Sequence, residues 1–282
     1  MKLHPILFST GSLHLRETSE CFRWAAEAGF DGIEVMIDQR YSTRDPIFLN
    51  RLSEKFNIPI YAVHNSFFYN LSDWPDGSDA IAMIKKTVEL AQQVHAKVVV
   101  VHLPLKVGSC IVSAPGKVRR GMHFPNPDKA LYHWIKEGGF AEYQESIDIK
   151  LCVENMPKRS IPLLVKDLVY WNSMEEWSQV HEYLTLDTTH WGTWNKQPVD
   201  AIKMAGKRVR HIHLSNFNGK EHQMPENGHL DLGAVLDYVN TSPNEISVTF
   251  ESHPGALDYR DEDKILNNLR KVVAFCQRYL TD

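Results

Sequence analysis

The chain lacks a Cys-x-x-Cys pair: its four cysteines, Cys21, Cys110, Cys152 and Cys276, are scattered over 282 residues. That spacing predicts reduced thiols in a cytosolic compartment and excludes a disulfide framework. No Gly-x-Gly-x-x-Gly follows the first strand-like segment and no Gly-x4-Gly-Lys-[Ser/Thr] occurs, which removes the usual nucleotide-binding motifs. No run approaches the ~18 apolar residues that a membrane span requires. Positive charge is not in surplus either: the net charge is −4, so any surface for a nucleic-acid backbone would have to be local. The apolar stretch at the N-terminus is short and interrupted by His4 and Pro5, and it reads as a first strand rather than a signal peptide. A soluble, cytoplasmic protein is expected.

What the chain does have is histidine, fourteen in all, and a repeated way of ending apolar runs. Six short runs close on, or one residue before, a metal-binding side chain: Ile60 to His64, Val98 to His102, Leu151 to Glu154, Leu184 to Asp187, His211 to His213 and Val248 to Glu251. A four-to-five-residue apolar run is the signature of a strand buried on both faces of a parallel sheet. Between these runs lie helix-like patterns, so strand and helix alternate from end to end. Strands are predicted at 4–9, 31–37, 58–64, 97–102, 150–154, 183–187, 208–213 and 246–251. Helices are predicted up to Gly29 (a C-terminal cap), at 46–56, from an N-cap at Ser78, at 127–147, 173–181, 198–205 and 231–240, and in a long closing segment. In that segment Ile265, Leu269, Val272, Cys276 and Tyr279 share a face. Eight strand–helix units without a composition break predict one α/β domain over 1–282, a (β/α)8 barrel.

A barrel of parallel strands delivers every strand end to one rim, so the six endings should converge. Glu154, Asp187, His213 and Glu251 are then the expected ligands of a divalent metal. Three carboxylates in one pocket repel each other unless a cation is present. His64 and His102 lie across the same rim, as second-metal ligands or donors to a sugar hydroxyl. His190, in Asp187-Thr188-Thr189-His190, and His222 are further candidate ligands or substrate contacts. His211 shares the face of His213 but lies deeper and reads as a packed barrel histidine. Glu34 reads as a strand-end salt-bridge partner. Trp191, Trp194, Phe67, Phe68 and Tyr69 offer aromatic faces near the pocket. Two connections, 103–127 and 214–229, are long for βα loops. The first carries Lys106, Lys117, Arg119 and Arg120 with no acidic residue, a clamp suited to phosphate or carboxylate.

With these residues in view, the chain resembles the xylose isomerase-like TIM barrels, which include sugar isomerases and epimerases and the endonuclease IV-type AP endonucleases (family 2). The resemblance runs from Gly29-Phe30-Asp31-Gly32-Ile33-Glu34 through Val153-Glu154-Asn155 to Phe250-Glu251. It is most specific at Leu186 to His190, His211 to Asn216 and His222 to Gly228. In the epimerase branch it implies one divalent metal on Glu154, Asp187, His213 and Glu251, with the two glutamates on opposite substrate faces and His190 holding the substrate. In the endonuclease branch it implies a three-zinc cluster on His64, His102, Glu154, Asp187, His190, His213, His222 and Glu251. That branch expects an Asp where Lys220 stands, and the epimerase branch expects an Arg where Gly219 stands. The expected function is a metal-dependent sugar or sugar-phosphate isomerase or epimerase. It would act through a metal-stabilised enediolate, with Glu154, Glu251 and His190 catalytic, and with His64, His102, His222, Trp191, Lys106, Arg119 and Arg120 touching substrate. The alternative is a phosphodiesterase with two or three zinc ions. Zinc or manganese is the favoured metal, with cobalt, iron or magnesium after them. The expected partner is a small sugar, with nucleic acid disfavoured and no membrane.

Overall fold

The computed structural model describes residues 3–66, 71, 73–75, 79–114, 117–125, 128–159 and 167–280, and within 108–125 the backbone only. Eight strands close a parallel barrel: β1 (Ile6–Ser9), β2 (Gly32–Met36), β3 (Ile60–His64), β4 (Val98–His102), β7 (Lys150–Glu154), β8 (Tyr183–Asp187), β9 (Val209–Leu214) and β10 (Ser247–Phe250). Closure is made by β1, which pairs in parallel with both β2 and β10.

The two-residue period of a strand sorts its side chains into two populations. Ile33, Val35, Val99, Val101, Leu151, Val153, Leu184, Leu186, Ile212, Val248 and Phe250 face outward into the large core beneath the helices. Leu7, Tyr61, Ala62, Val98, Val100 and Cys152 form a separate apolar plug inside the barrel. Stepping two residues along from Ala62, Val100 and Cys152 reaches His64, His102 and Glu154. The same parity turns Glu34, Asp187, His211, His213 and Glu251 inward. One alternation, interrupted beside Tyr61 where the β2–β3 register shifts, therefore builds both the plug and the polar tier above it.

The outer ring is made by α1 (Thr18–Ala28), α2 (Pro46–Phe56), α3 (Ala80–Gln93), α4 (Lys129–Lys136), α5 (Gly139–Glu145), α6 (Met174–Val180), α7 (Thr188–Thr193), α8 (Pro198–Ala205), α9 (Leu232–Asn240) and α10 (Glu262–Gln277). Aspartates cap several of them; Asp45, for example, accepts from the backbone of Ile47 and Phe48 ahead of Pro46. Gly29 caps α1 at φ 90°, as its position in the sequence predicts. In α10 Ile265, Leu269, Val272 and Cys276 are fully buried, each apolar chain contributing roughly 1.5–3 kcal/mol. Among the described residues no helix is long and apolar enough to cross a membrane.

Four sequence expectations need correction or completion. The 103–127 connection, expected only to be long, carries two strands of its own: Val107–Ala114 (β5) and Lys117–Pro125 (β6) pair antiparallel. The single helix expected at 127–147 is two, α4 and α5, broken where Gly138 adopts φ 94°. Asp79, not Ser78, caps α3, its carboxylate accepting from Ala82, and Ser78 lies outside the described residues. Tyr279 follows the end of α10 rather than sitting within it.

Candidate metal centre

The strand ends converge as the barrel requires. Ligand atoms of Glu154, Asp187, His213 and Glu251 all lie within 4.8 Å of one another. His213 is the hub: its Nδ1 is 2.9 Å from Glu251 Oε2, 3.2 Å from Glu154 Oε1 and 3.8 Å from Asp187 Oδ2. The ring is fully buried, and so is Asp187.

Asp187 does two jobs with its two oxygens. Oδ1 accepts the His190 backbone N–H at 2.8 Å and so caps the short helix α7. Oδ2 is buried and has no hydrogen-bond partner among the described residues. A buried carboxylate oxygen left bare costs on the order of 1–3 kcal/mol or more unless something positive reaches it. The charges tell the same story. Burial and the neighbouring Glu154 push the Asp187 carboxyl well above its usual range. Burial alone would raise Glu154 and Glu251 and lower His213. Instead the mutual attraction of His213 with these carboxylates holds Glu154 well below the ordinary value and Glu251 at about 2, and lifts His213 well above 6.5. Three oxygens and one imidazole nitrogen around one point fit a divalent cation by donor type and by charge.

Two flanking groups of donors share this centre. The second Glu154 oxygen, Oε2, lies 3.4 Å from His64 Nε2 and 3.2 Å from His102 Nε2. His64 donates its Nδ1–H to the Asn65 carbonyl at 2.8 Å, which turns Nε2 toward Glu154. On the other side Asp187, His190 and His222 bring ligand atoms within 4.8 Å. His190 donates Nδ1–H to the Asn155 carbonyl at 2.7 Å, and burial drives its pKa down to about 3, so the ring is neutral. Asn155, to which the sequence assigns no role, ties the ends of β7 and β8 together by exchanging hydrogen bonds with the Asp187 backbone at 2.8 and 3.0 Å.

In front of the donors opens a pocket of about 400 Å³. His64, His102, Glu154, His190, His222 and Glu251 all line it, within the size range of small-molecule sites. At its mouth Arg159 pairs with Glu221 at 3.1 Å. Arg159 belongs to the 155–173 connection, a third long one.

Other expected site residues lie elsewhere. Trp191 does not reach the pocket: it is fully buried in the core, edge-on to Trp177 at 5.7 Å. Trp194 sits outside the pocket lining and donates to the Met156 carbonyl at 3.3 Å. The Lys106 ammonium lies 5.4 Å from the Tyr170 ring centre. Phe67, Phe68 and Tyr69 fall outside the described residues, as do the side chains of Lys117, Arg119 and Arg120. Lys220 is exposed. Glu34 lies mid-strand rather than at a strand end, fully buried, and it pairs with His211 and His213; His211 is the packed barrel histidine that its depth implied.

The 215–230 loop that carries His222 is stapled by Asn216. Its Oδ1 accepts from Phe217 and Leu230 at 2.8 and 2.9 Å, while Nδ2 donates to the Pro225 carbonyl at 2.6 Å. Gly228 passes so close that a Cβ there would stand 2.2 Å from Asn216 Oδ1.

A closed parallel barrel with imidazole and carboxylate donors at its C-terminal rim defines a class, and the family model for the xylose isomerase-like TIM barrel matches residues 22–275. The chain belongs to that family. An uncharacterised protein of Mycobacterium leprae (strain TN) is 24% identical over 263 residues, 83% of this chain and 84% of its own length. Among solved structures, D-psicose 3-epimerase from Clostridium cellulolyticum H10, determined with D-tagatose, superposes with a TM-score of 0.68 at 15% identity, over 99% of this chain and 100% of that one. An AP endonuclease, family 2, from Brucella melitensis gives 0.64 at 14%, over 98% and 100%. The IOLI protein with a bound zinc atom gives 0.66 at 15%, over 99% and 100%. At these identities the likeness establishes the fold.

Proposed function

We propose that this chain is a divalent-metal-dependent isomerase or epimerase acting on a sugar or sugar phosphate. The observation that carries the reading is the meeting of Glu154, Asp187, His213 and Glu251 around one point, with an Asp187 oxygen left bare. A divalent ion held by these four residues would supply Lewis acidity to a carbonyl and its neighbouring hydroxyl. Zinc or manganese suits three carboxylates and one imidazole best, ahead of cobalt, iron or magnesium.

The remaining chemistry belongs to the side chains. Moving a proton on the carbon next to a carbonyl needs one group to take it and another to return it. Glu154 and Glu251 reach the centre from different strands and are the acid–base pair. Neutral His190 presents Nε2 as an acceptor to a substrate hydroxyl. His64, His102 and His222 line the pocket as further substrate contacts. Arg159 at the mouth would clamp a phosphate or carboxylate.

The test is a panel of ketoses and their phosphates incubated in D2O with the manganese- or zinc-loaded protein. Deuterium should enter the carbon next to the carbonyl of at least one of them. Absence of exchange throughout would remove the reading.

A second reading, a phosphodiesterase of the AP endonuclease type, is favoured by one observation: all eight donors expected of that branch line one rim, with Glu154 presenting a separate oxygen to His64 and His102. That branch expects an Asp where Lys220 stands, and an ammonium cannot ligate a third ion. One bound ion per chain supports the epimerase; two or three, with cleavage of an abasic oligonucleotide, support the phosphodiesterase.

A further inference from the structure

Directly beneath the four donors, inside the barrel, lies a charged group that the proposed reaction does not use. Glu34 comes from β2 and His213 from β9, with β1 and β10 between them in the barrel wall. Glu34 Oε2 is 3.1 Å from His213 Nε2 and 2.7 Å from His211 Nε2. All three residues are fully buried. Ser247 Oγ, 2.7 Å from His211 Nδ1, closes the chain on the far side.

The bonds dictate the tautomers. A carboxylate only accepts, so both imidazoles donate their Nε2–H to Glu34, and the Ser247 hydroxyl donates to His211 Nδ1. The His213 Nδ1 faces carboxylates too, Glu251 Oε2 at 2.9 Å and Glu154 Oε1 at 3.2 Å, so in the ion-free protein it also carries a proton. A cation would displace that proton, and with the other held on Nε2 the lone pair would lie on Nδ1, toward the cation. The opposite tautomer would turn an N–H toward the centre and could not ligate.

This arrangement has no evident value for stability. Glu34 Oε1 is buried with no hydrogen-bond partner among the described residues, so a carboxylate has been taken from water and only half satisfied. Such groups are often neutral or costly beside an apolar replacement of similar volume. A carboxylate behind a ligating histidine does, however, fix ring orientation and raise ligand basicity, and losing it typically weakens metal binding about 10–100-fold.

We infer that Glu34, itself held by His211, is a positioning residue that sets the orientation and tautomer of His213, so that Nδ1 completes the donor set. The inference rests on the proposed metal centre.

Its test is ion affinity rather than turnover, measured by competition with a chromophoric chelator for Zn²⁺ and Co²⁺ in the wild type, Glu34→Gln, Glu34→Leu and His211→Phe. Glu34→Leu should lose roughly 100-fold in affinity. Glu34→Gln, which keeps a neutral acceptor, should lose roughly 10-fold and retain part of the wild-type Co²⁺ absorption spectrum. Thermal midpoints of the ion-free proteins should not fall in the same order, as they would if Glu34 were only a structural brace. If Glu34→Leu fails to fold, Glu34→Gln alone decides the matter. Affinities and Co²⁺ spectra unchanged in folded variants would overturn the positioning role and leave the metal centre standing. A wild type that binds neither ion would overturn the centre, and the inference with it.

Discussion

Two tiers of the same barrel make opposite uses of the same strands. The lower tier, Leu7, Tyr61, Ala62, Val98, Val100 and Cys152, is an apolar plug that buries carbon against carbon. Two residues further along β3, β4 and β7 stand His64, His102 and Glu154. These belong to a tier with bare oxygens at Glu34 and Asp187 and with carboxylates displaced from their usual pKa in both directions. The plug makes folding favourable. The tier above draws on that stability, since buried carboxylates and bare oxygens cost free energy. A barrel selected for stability alone would continue the plug to the rim, so the change of character along one strand marks the site.

The largest expected effect belongs to the upper tier. Glu251→Gln should keep the ion and lower solvent-hydrogen exchange by about 10²–10⁴-fold, the usual contribution of one acid–base group. Wild-type exchange rates in D2O would remove Glu251 from that role.

Leu7→Ala tests the plug. It should destabilise the protein by about 2–5 kcal/mol in urea unfolding, with ion affinity unchanged. A loss of affinity comparable to that of the Glu34 variants would mean that the tiers are not separable.

Outside both tiers, His181 gives an acid-sensitive reference. It is buried edge-on to Phe140 at 5.4 Å, and burial lowers its pKa from 6.5 to about 4. The unfolded chain therefore binds this proton between pH 6.5 and 4 while the folded protein does not, so stability falls as pH drops through that window. The difference corresponds to about 3 kcal/mol, complete below pH 4. His181→Phe should remove that share of the pH dependence. Parallel stability–pH curves for the two proteins would contradict it.

Lys220→Ala should do least, within about 0.5 kcal/mol of the wild type, because the side chain is exposed. A gain in bound ions on removing this lysine would instead favour the multi-ion phosphodiesterase.

Much of this was legible in the sequence, because strand parity and the convergence of a parallel barrel are both periodic properties. Glu154, Asp187, His213 and Glu251 could be placed together from run endings alone. The failures share a cause: they depend on which way a side chain turns off the simple period. Trp191 adjoins His190, but one step along α7 rotates it by roughly 100° into the core rather than the pocket. Glu34 reads as a strand-end partner, yet β2 runs from Gly32 to Met36 and its inward parity falls on Glu34 at the middle of the strand. The β5–β6 hairpin was hidden by glycines and arginines that break the alternation, although Pro115-Gly116 is a turn signal. Asn155 carries no periodic signal at all; its role is to join two strand ends, which only the closed barrel brings side by side.

The most direct test is a crystal of the protein soaked in Zn²⁺ or Mn²⁺ and measured at the absorption edge of the metal. The account predicts an anomalous peak within about 2.0–2.3 Å of Glu154, Asp187, His213 Nδ1 and Glu251. A fully soaked crystal with no peak among those four residues would contradict it.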